Sequence, residues 1–368
     1  MNFKCKATIL TLFILCSITT IKLNAQRIKT EGVKFVVDNK EIYMNGVNTP
    51  WHNWNDFGGK YEHEFWDKEF EKISNAGGNS SRIWISCDGE KGINIDSTGY
   101  VSGATATHWE DLEDMFELAK KHKIYIMATL LSFDHTQASH PNYIKWRKLL
   151  SDRKMIDAYV SNYVVQFIYK FKDNPYLWSI DACNEIEWVN QEKDNALQSW
   201  ENLQYLVGSI AVATHSNSEI LFTLGSAAVK WNCDLPEPFQ GNKWSDTALQ
   251  LQVNSHLAFL DFYSPHYYGW VVQNFGNFCI DKSPEDYKIN DRPCIIGENP
   301  ATGIFSRDGN NKDILVVQMK DAYIKTFENG WKGLMTWSSN GVDRFGTIEN
   351  SGPGMKAFAE KYPELVRP

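Results

Sequence analysis

Residues 177–185 of the chain read LWSIDACNE. The stretch begins with a short apolar run, which is typical of a strand buried on both faces. It ends at Glu185, and a glutamate directly after a buried strand is a poor structural choice unless it has a function. Residues 177–185 therefore predict a buried strand that carries a functional acid at its C-terminal end.

Seven further apolar runs of similar length occur along the chain, at residues 42–47, 80–85, 124–130, 220–224, 261–264, 294–296 and 333–337. Consecutive runs lie on the order of 30 to 50 residues apart, the length of one βα unit with its loops. Between them, residues 107–122 and 155–171 repeat apolar side chains at helical spacing. The pattern predicts an α/β fold, a (β/α)₈ TIM barrel in a single domain. The alternative, an open doubly wound sheet, lacks a glycine-rich phosphate loop after an early strand.

A β-hairpin is predicted ahead of the first barrel strand. Its arms are residues 33–37 and 41–44, and the turn between them is Asp38-Asn39-Lys40. The second arm continues directly into the first barrel strand, so we expect the hairpin to cover the bottom of the barrel.

The first 25 residues read as an export signal. Lys4 and Lys6 precede an apolar run at 7–16, and a polar stretch ends at Ala25. Cleavage after Ala25 would leave residues 26–368 as the catalytic domain, exported to the periplasm or secreted. Lipoprotein anchoring through Cys16 is less favoured because a leucine precedes it. We expect no integral membrane segment in the mature chain, since no other run reaches about 18 apolar residues.

Charge and cysteine content narrow the range of partners. The chain has 368 residues and a formal charge of −8, and removing the leader takes away three lysines and no acid, which gives −11. An acidic surface repels nucleic acid, so we expect no nucleic-acid partner. We expect a monomer.

The five cysteines that remain match no metal-site spacing, so we expect no metal and no cofactor. They are Cys87, Cys183, Cys233, Cys279 and Cys294.

A second glutamate, Glu298, follows the apolar run at 294–297. Barrel enzymes carry their active sites at the C-terminal ends of the strands, so Glu185 and Glu298 are expected to face each other across the mouth. Cleavage of a glycosidic bond with retention of configuration needs two carboxyl groups roughly 5 to 5.5 Å apart. We therefore interpret Glu185 as the acid/base and Glu298 as the nucleophile.

These positions resemble clan A glycoside hydrolases, the superfamily that includes families 5 and 39. The resemblance extends over the barrel from about Ile42 to Trp337. Asn184-Glu185 matches the clan's Asn-Glu pair and Gly297-Glu298 its nucleophile, although the proline that often follows the Asn-Glu pair is absent. The other matching positions are Arg82 on strand two, His266 and Tyr268 after strand six, and Trp337 at the end of strand eight.

The resemblance implies a role for each matching residue. Arg82 would keep Glu298 ionised, and Tyr268 would hydrogen-bond the same carboxylate. Asn184 would donate to a sugar 2-hydroxyl. His266 would bond the substrate or the acid/base, and Trp337 would form the floor of the sugar subsite. The acid/base needs a raised pKa, to which the charge of Glu298 is expected to contribute.

Further candidate substrate contacts are aromatic or histidine side chains near predicted strand ends, because aromatic faces stack on sugar rings. They are Trp51, Trp54, His135, Trp188, Trp231 and Trp270. Trp84 is expected to share the inward face of Arg82. Asp88 and Glu187 match no position of the clan, and we interpret them as loop charges.

The expected partner is therefore a carbohydrate, a β-linked polysaccharide or oligosaccharide. We favour a polysaccharide-cleaving enzyme of the mannanase or glucanase type over an exo-acting β-xylosidase of the family 39 type. A transglycosylase and a non-catalytic sugar-binding barrel remain alternatives, because fold alone does not fix the substrate or the reaction.

Overall fold

The computed structural model describes residues 27–236, 241–275 and 282–367, so the predicted export signal and Cys279 lie outside the described residues. The strands, in chain order, are β1 (Lys29–Glu31), β2 (Lys34–Val37), β3 (Lys40–Ile42), β4 (Met44–Asn48), β5 (Ser80–Trp84), β6 (Ile93–Ile95), β7 (Val101–Ala104), β8 (Tyr125–Thr129), β9 (Leu177–Asn184), β10 (Leu221–Ser226), β11 (Ser264–Pro265), β12 (Ile296–Pro300), β13 (Gly303–Arg307), β14 (Asp313–Gln318) and β15 (Gly333–Trp337).

The helices are α1 (His63–Asn75), α2 (Ala106–His122), α3 (Tyr143–Ser151), α4 (Arg153–Tyr159), α5 (Val165–Phe171), α6 (Trp188–Gln191), α7 (Trp200–Asn217), α8 (Asp246–Val253), α9 (Gly269–Phe275), α10 (Met319–Glu328), α11 (Ile348–Lys361) and α12 (Pro363–Val366). A π-helical segment, Val160–Val164, joins α4 to α5, so the helix predicted at 155–171 is present with one wider turn. Short 3₁₀ helices occupy Phe133–Thr136, Lys193–Asn195, Val229–Trp231 and Val342–Arg344.

Eight parallel strands form the barrel in the order β11-β10-β9-β8-β5-β4-β15-β12. Two isolated parallel bridges, Tyr263 with Cys294 and His266 with Glu298, join the first and last strands of that order and close the ring. Each of the eight predicted runs overlaps one barrel strand, which confirms the (β/α)₈ barrel. The run predicted at 261–264 overlaps only the start of the two-residue strand β11, because the chain there pairs through single bridges rather than a full ladder.

The N-terminal hairpin is confirmed, and it is part of a three-stranded antiparallel sheet, β1-β2-β3. Its turn places Asp38 at φ 52° and Asn39 at φ 62°, the left-handed conformation that a two-residue hairpin turn requires. Phe35 from β2 makes edge-on contacts with Trp178 and Phe262 below the barrel, with ring centroids 5.3 and 5.1 Å apart. The sheet therefore closes the bottom of the barrel with apolar side chains. Strand β1 was not predicted from the sequence.

Outside the barrel, the helices bury apolar faces against the strands. The helix predicted at 107–122 begins one residue earlier, at Ala106, because the hydroxyl of Thr105 accepts the backbone N–H of His108 and caps it. Two small hairpins that the sequence reading missed, β6-β7 and β13-β14, lie in the loops above the strands. None of the described helices has the length and apolar character that crossing a membrane requires.

Candidate active site

The two predicted catalytic glutamates lie together at the C-terminal mouth of the barrel. A carboxylate oxygen of Glu185, one of Glu298 and a ring nitrogen of His266 all lie within 4.8 Å of one another. This spacing is well below the roughly 6.5 to 9.5 Å that an inverting enzyme needs to admit a water. Glu185 has φ 48°, and its backbone N–H donates to Gly225 at 2.7 Å, so the acid sits on a tight, tethered turn.

Arg82 is the charge centre of the site and is fully buried. Its guanidinium donates to Glu298 Oε1 at 2.7 Å, to Asp181 Oδ2 at 2.9 Å and to Asn48 Oδ1 at 3.1 Å. A fourth bond, at 3.0 Å, goes to Asn184 Oδ1. Arg82 and all four of its partners lie on barrel strands. The strands therefore hold the guanidinium and its partners in one geometry.

Asp181 belongs to this network although it was not singled out from the sequence. Its carboxylate accepts hydrogen bonds from Arg82, from the Thr129 hydroxyl at 2.9 Å and from the Gly225 backbone at 2.8 Å. A charge in the middle of a buried strand costs free energy unless it is paired and hydrogen-bonded. The sequence could have indicated this role, because an aspartate inside an apolar strand requires a buried cation as its partner.

Glu298 is surrounded by groups that favour its ionised form. Burial raises the pKa of Glu298 above its ordinary value, and the permanent charge of Arg82 opposes that rise. The Tyr268 hydroxyl donates to Glu298 Oε2 at 2.7 Å. Burial lowers the pKa of His266 to about 4, so its imidazole is neutral near pH 7. Arg82 is thus the nearest fixed positive charge, and it favours the ionised form of Glu298 that a nucleophile needs.

Glu185 has the environment of a general acid. Burial raises its pKa to about 7, while a hydrogen bond from Trp188 Nε1 at 2.6 Å lowers it and limits the rise. Burial is the largest cause of this shift, and the charge of Glu298, which was expected to contribute, is not among its main causes. His266 Nδ1 lies 2.8 Å from Glu185 Oε1.

The glutamates open into a cavity of about 440 Å³ at the barrel mouth. Asn184 lines it, and because its Oδ1 is bonded to Arg82, its amide N–H groups are left to face a ligand. Aromatic rings make up most of the remaining wall. The predicted substrate-contact residues among them are Trp51, Trp54, Trp188, Tyr268, Trp270 and Trp337, and the additional aromatic members are Trp84, Phe133 and Phe345.

Four of the predicted substrate-binding residues do not line this cavity. Arg82 and His266 are fully buried and contact the two glutamates instead. The other two are Trp231 and His135. Trp231 is fully buried and packs edge-on against Trp188, with ring centroids 5.8 Å apart, so it supports the wall from behind. His135 is also buried, hydrogen-bonded to Ser86 and packed against Trp146. Both side chains follow strands as expected, but proximity to a strand end does not distinguish the inner wall from the layer behind it.

The two acids interpreted as loop charges are buried, which corrects that interpretation. Asp88 accepts hydrogen bonds from Trp54 Nε1 at 2.7 Å and from Asn55 Nδ2 at 2.8 Å. Glu187 accepts from the Ser226 hydroxyl at 2.6 Å and from Trp244 Nε1 at 2.7 Å. Each carboxylate fixes loops around the mouth, and neither is a solvated surface charge.

The described residues also contain one group with the composition of a metal site, formed by Glu185, His266 and Glu298. The sequence spacing gave no sign of it because the three residues come from separate loops and strands. Arg82 and Tyr268 already donate to Glu298, and Trp188 donates to Glu185. These three hydrogen bonds occupy both oxygens of Glu298 and Oε2 of Glu185. The four cysteines in the described residues, at 87, 183, 233 and 294, are free thiols and buried.

Comparison with known proteins agrees with the geometry. No family model matches the chain. A mannan endo-1,4-beta-mannosidase of Cryptopygus antarcticus is 23% identical over 365 residues, covering 91% of this chain and 90% of the relative. One from Mytilus edulis is 25% identical over 344 residues, covering 86% and 89%. The solved beta-1,4-mannanase of the sea hare Aplysia kurodai superposes with a TM-score of 0.78 at 22% identity, covering 93% of this chain and 99% of that one.

The similarity to these relatives runs along nearly the whole chain, and the acids occupy the strand ends that the clan uses. Both lines lead to the same class of enzyme. The chain has the (β/α)₈ barrel of the solved mannanase, and over nearly its whole length it resembles the glycoside hydrolases of clan A, those of family 5 in particular.

Proposed function

We propose that this protein is a retaining, endo-acting β-mannanase that cleaves β-1,4-linked mannan by double displacement. The observation that carries the reaction type is the close approach of Glu185 and Glu298, with oxygens within 4.8 Å, beneath a cavity lined by aromatic rings. The substrate follows from the relatives, which are named mannan endo-1,4-beta-mannosidases over 86% to 91% of this chain.

In the first step, Glu298 attacks the anomeric carbon while Glu185 protonates the leaving oxygen. The bond from the anomeric carbon to the leaving oxygen breaks as the bond to Glu298 forms, which gives a covalent glycosyl-enzyme. Loss of its proton leaves Glu185 as a carboxylate, so it then removes a proton from water, and that water displaces Glu298 with a second inversion. The two inversions together retain the configuration.

The remaining polar groups support charge changes during these steps. Arg82 and Tyr268 hold Glu298 in position before attack, and their bonds weaken as its charge is neutralised. Asn184 presents its amide N–H groups to the sugar, where a bond to the 2-hydroxyl strengthens in the oxocarbenium-like transition state. A pKa of about 7 keeps Glu185 protonated in acidic and near-neutral solution, so activity is expected to fall as pH rises through 7.

The alternatives differ in products. A glucanase would cleave β-glucan, and an exo-acting β-xylosidase of the family 39 type would release single xylose units. A transglycosylase would pass the glycosyl group to a sugar hydroxyl rather than to water. A non-catalytic sugar-binding barrel is disfavoured, because binding has no need for a buried Arg82 paired to one of two adjacent carboxylates.

Product analysis tests the proposal. The purified protein is incubated with linear β-1,4-mannan, galactomannan, β-glucan and xylan, and products are sized over time. We expect rapid fragmentation of the mannans into mixed oligosaccharides. Release of monosaccharide alone would contradict endo action, cleavage confined to glucan or xylan would contradict the substrate, and products longer than the starting oligosaccharide would favour transglycosylation.

We also propose that the protein is exported after removal of residues 1–25 and acts as a monomer. The charged start and apolar run of the N-terminal segment support export. Mass spectrometry of the mature N-terminus, cell fractionation and light scattering test these points. An uncleaved chain, a lipid-modified Cys16 or a dimeric mass would contradict them.

A further inference from the structure

Trp54, on the wall of the cavity, is held on two sides. Its Nε1 donates to Asp88 Oδ2 at 2.7 Å. One face of its ring stacks on the imidazole of His140, with centroids 5.5 Å apart and planes at 16°. The rest of the ring contributes to the cavity lining. An indole fixed in this way loses little conformational freedom when a sugar ring stacks on it.

Asp88 connects the two supports of this ring. The carboxylate is buried and accepts His140 Nδ1 at 2.9 Å in addition to Trp54. Bonds from the Asn55 side chain at 2.8 Å and the Glu90 backbone at 2.9 Å fix its plane. Four hydrogen bonds stabilise the buried charge of Asp88. Two of them, from Trp54 and His140, also orient the ring that faces the cavity.

His140 extends the arrangement to a second group on the cavity wall. Its Nε2 lies 3.7 Å from Asp134 Oδ1, and Asp134 lines the cavity. The nearby Asp134 carboxylate raises the pKa of His140 against the effect of burial. Asp88, Asp134 and the neighbouring His135 are the titratable groups around it. The imidazole thus lies between the carboxylates of Asp88 and Asp134, with one face stacked on the indole of Trp54.

Trp54 lies further along the wall than the ring at the end of the eighth barrel strand. Trp337 contacts Trp51 and Trp84, with centroids 5.9 and 5.7 Å away. Those two rings contact Trp54 in turn, at 4.7 and 6.3 Å. A chain seated above Trp337 at the reacting bond would therefore reach Trp54 only with a more distant sugar unit.

We propose that Asp88 and His140 are positioning residues that hold Trp54 as the platform of a distal subsite for one neutral pyranose unit, with the Asp134 carboxylate accepting its hydroxyls. The inference rests on the proposed function, because it assigns a further subsite to the same cleft. It predicts that the Asp88 cluster, meaning Trp54, Asp88, His140 and Asp134, affects binding of long substrates and leaves the chemical step unchanged.

The test is a double-mutant cycle between Asp88→Asn and Trp54→Phe, with kcat and KM measured separately for linear β-1,4-manno-oligosaccharides of graded length. We expect Asp88→Asn to raise KM about tenfold for the longest substrate, because a hydrogen bond to a charged group is lost. KM for the shortest substrate cleaved and kcat for all lengths should be unchanged. In the Trp54→Phe background, which lacks the indole N–H, Asp88→Asn should add little.

Asp114→Asn is the matched control. Asp114 also accepts from an aromatic side chain, the Tyr61 hydroxyl at 2.7 Å, and from a histidine, His63 Nδ1 at 2.6 Å, but it is not part of the cavity lining. This variant should leave KM unchanged at every length. If Asp88→Asn proves unstable, Trp54→Phe alone must show the same dependence on length.

Three results would overturn the inference. They are an equal loss of kcat at all lengths, additive effects of Asp88→Asn and Trp54→Phe, and a KM shift that does not depend on length. Failure of the proposed function gives a different signature, since the wild type would then leave the manno-oligosaccharides intact. The same variants would in that case be compared on oligosaccharides of the chain that it cleaves, and a wild type inactive on every chain would refute both proposals.

Discussion

The two ends of the same barrel strands have opposite chemistry. At the bottom, five strands or the residues just before them contribute to an apolar cluster against the N-terminal sheet: Met127, Trp178, Leu221, Phe262 and Ile295. At the mouth, the same strands or the residues that follow them contribute Thr129, Asp181, Ser226, His266 and Glu298, all buried and polar. The difference shows that stability and chemistry are separated along the barrel axis.

The two ends also differ in energetic character. Burial of large apolar rings at the bottom is favourable without any precise partner. At the mouth, the buried charges of Arg82, Asp181 and Glu298 are costly unless every bond is made, so this end specifies geometry rather than adding stability. We therefore expect substitutions at the mouth to lower activity and substitutions at the bottom to lower stability.

The largest effect is expected at the mouth, for Glu298→Gln. The amide keeps the size of the side chain but cannot form the glycosyl-enzyme, so kcat/KM on mannan should fall at least about 10⁴-fold. Initial rates and circular dichroism should be measured on the same sample. Residual activity near that of the wild type would show that Glu298 is not the nucleophile.

At the bottom, Trp178→Ala should lower the free energy of unfolding by about 3 to 5 kcal/mol, because it removes a fully buried ring that stacks on Phe262 at 4.9 Å. Urea denaturation measures the loss. Where the variant remains folded, its kcat should be within about twofold of the wild type. A large loss of kcat in the folded protein would contradict the separation of the two ends.

Trp188→Phe should produce a smaller change, in the pH profile rather than in the rate. The Trp188 N–H lowers the pKa of Glu185, so its removal should raise that pKa above about 7 and move the basic limb of kcat/KM to higher pH. The phenyl ring keeps the wall of the cavity. Trp270→Phe, on the same wall, is the control and should leave the limb in place; a downward shift for Trp188→Phe would contradict the proposed role of the hydrogen bond.

The smallest effect is expected from chelation. The two glutamates supply the chemistry and already have donor partners, so dialysis against EDTA should change kcat by less than about twofold. Loss of activity, restored by one divalent ion, would mean that Glu185, His266 and Glu298 hold a metal.

The contrast between the two ends also explains what could be predicted from the sequence. Apolar runs predicted the eight strands, because a strand that is buried on both faces needs apolar side chains on both. The Asp-Asn turn predicted the hairpin. The strand order of Arg82, Glu185 and Glu298 predicted which side chains would meet at the mouth. These features depend on residues close together in the sequence or on known strand order.

The remaining features depend on how loops fold over the mouth. Asp88 and Glu187 were interpreted as loop charges because the sequence does not show which loop residues turn inward. Trp231 and His135 follow strands as the lining residues do, yet they lie one layer behind the cavity. The limits of strand β11 were predicted wrongly because the strand pairs over only two residues.

The most direct test of the central claim is the anomer formed when azide rescues each glutamate variant on an aryl β-glycoside of the cleaved sugar. In Glu185→Ala the first step should survive, and azide should displace Glu298 to give the β-glycosyl azide. In Glu298→Ala azide should enter the vacated side and give the α-product. NMR distinguishes the two. The same anomer from both variants, or inversion by the wild type, would contradict the assignment of Glu185 as acid/base and Glu298 as nucleophile.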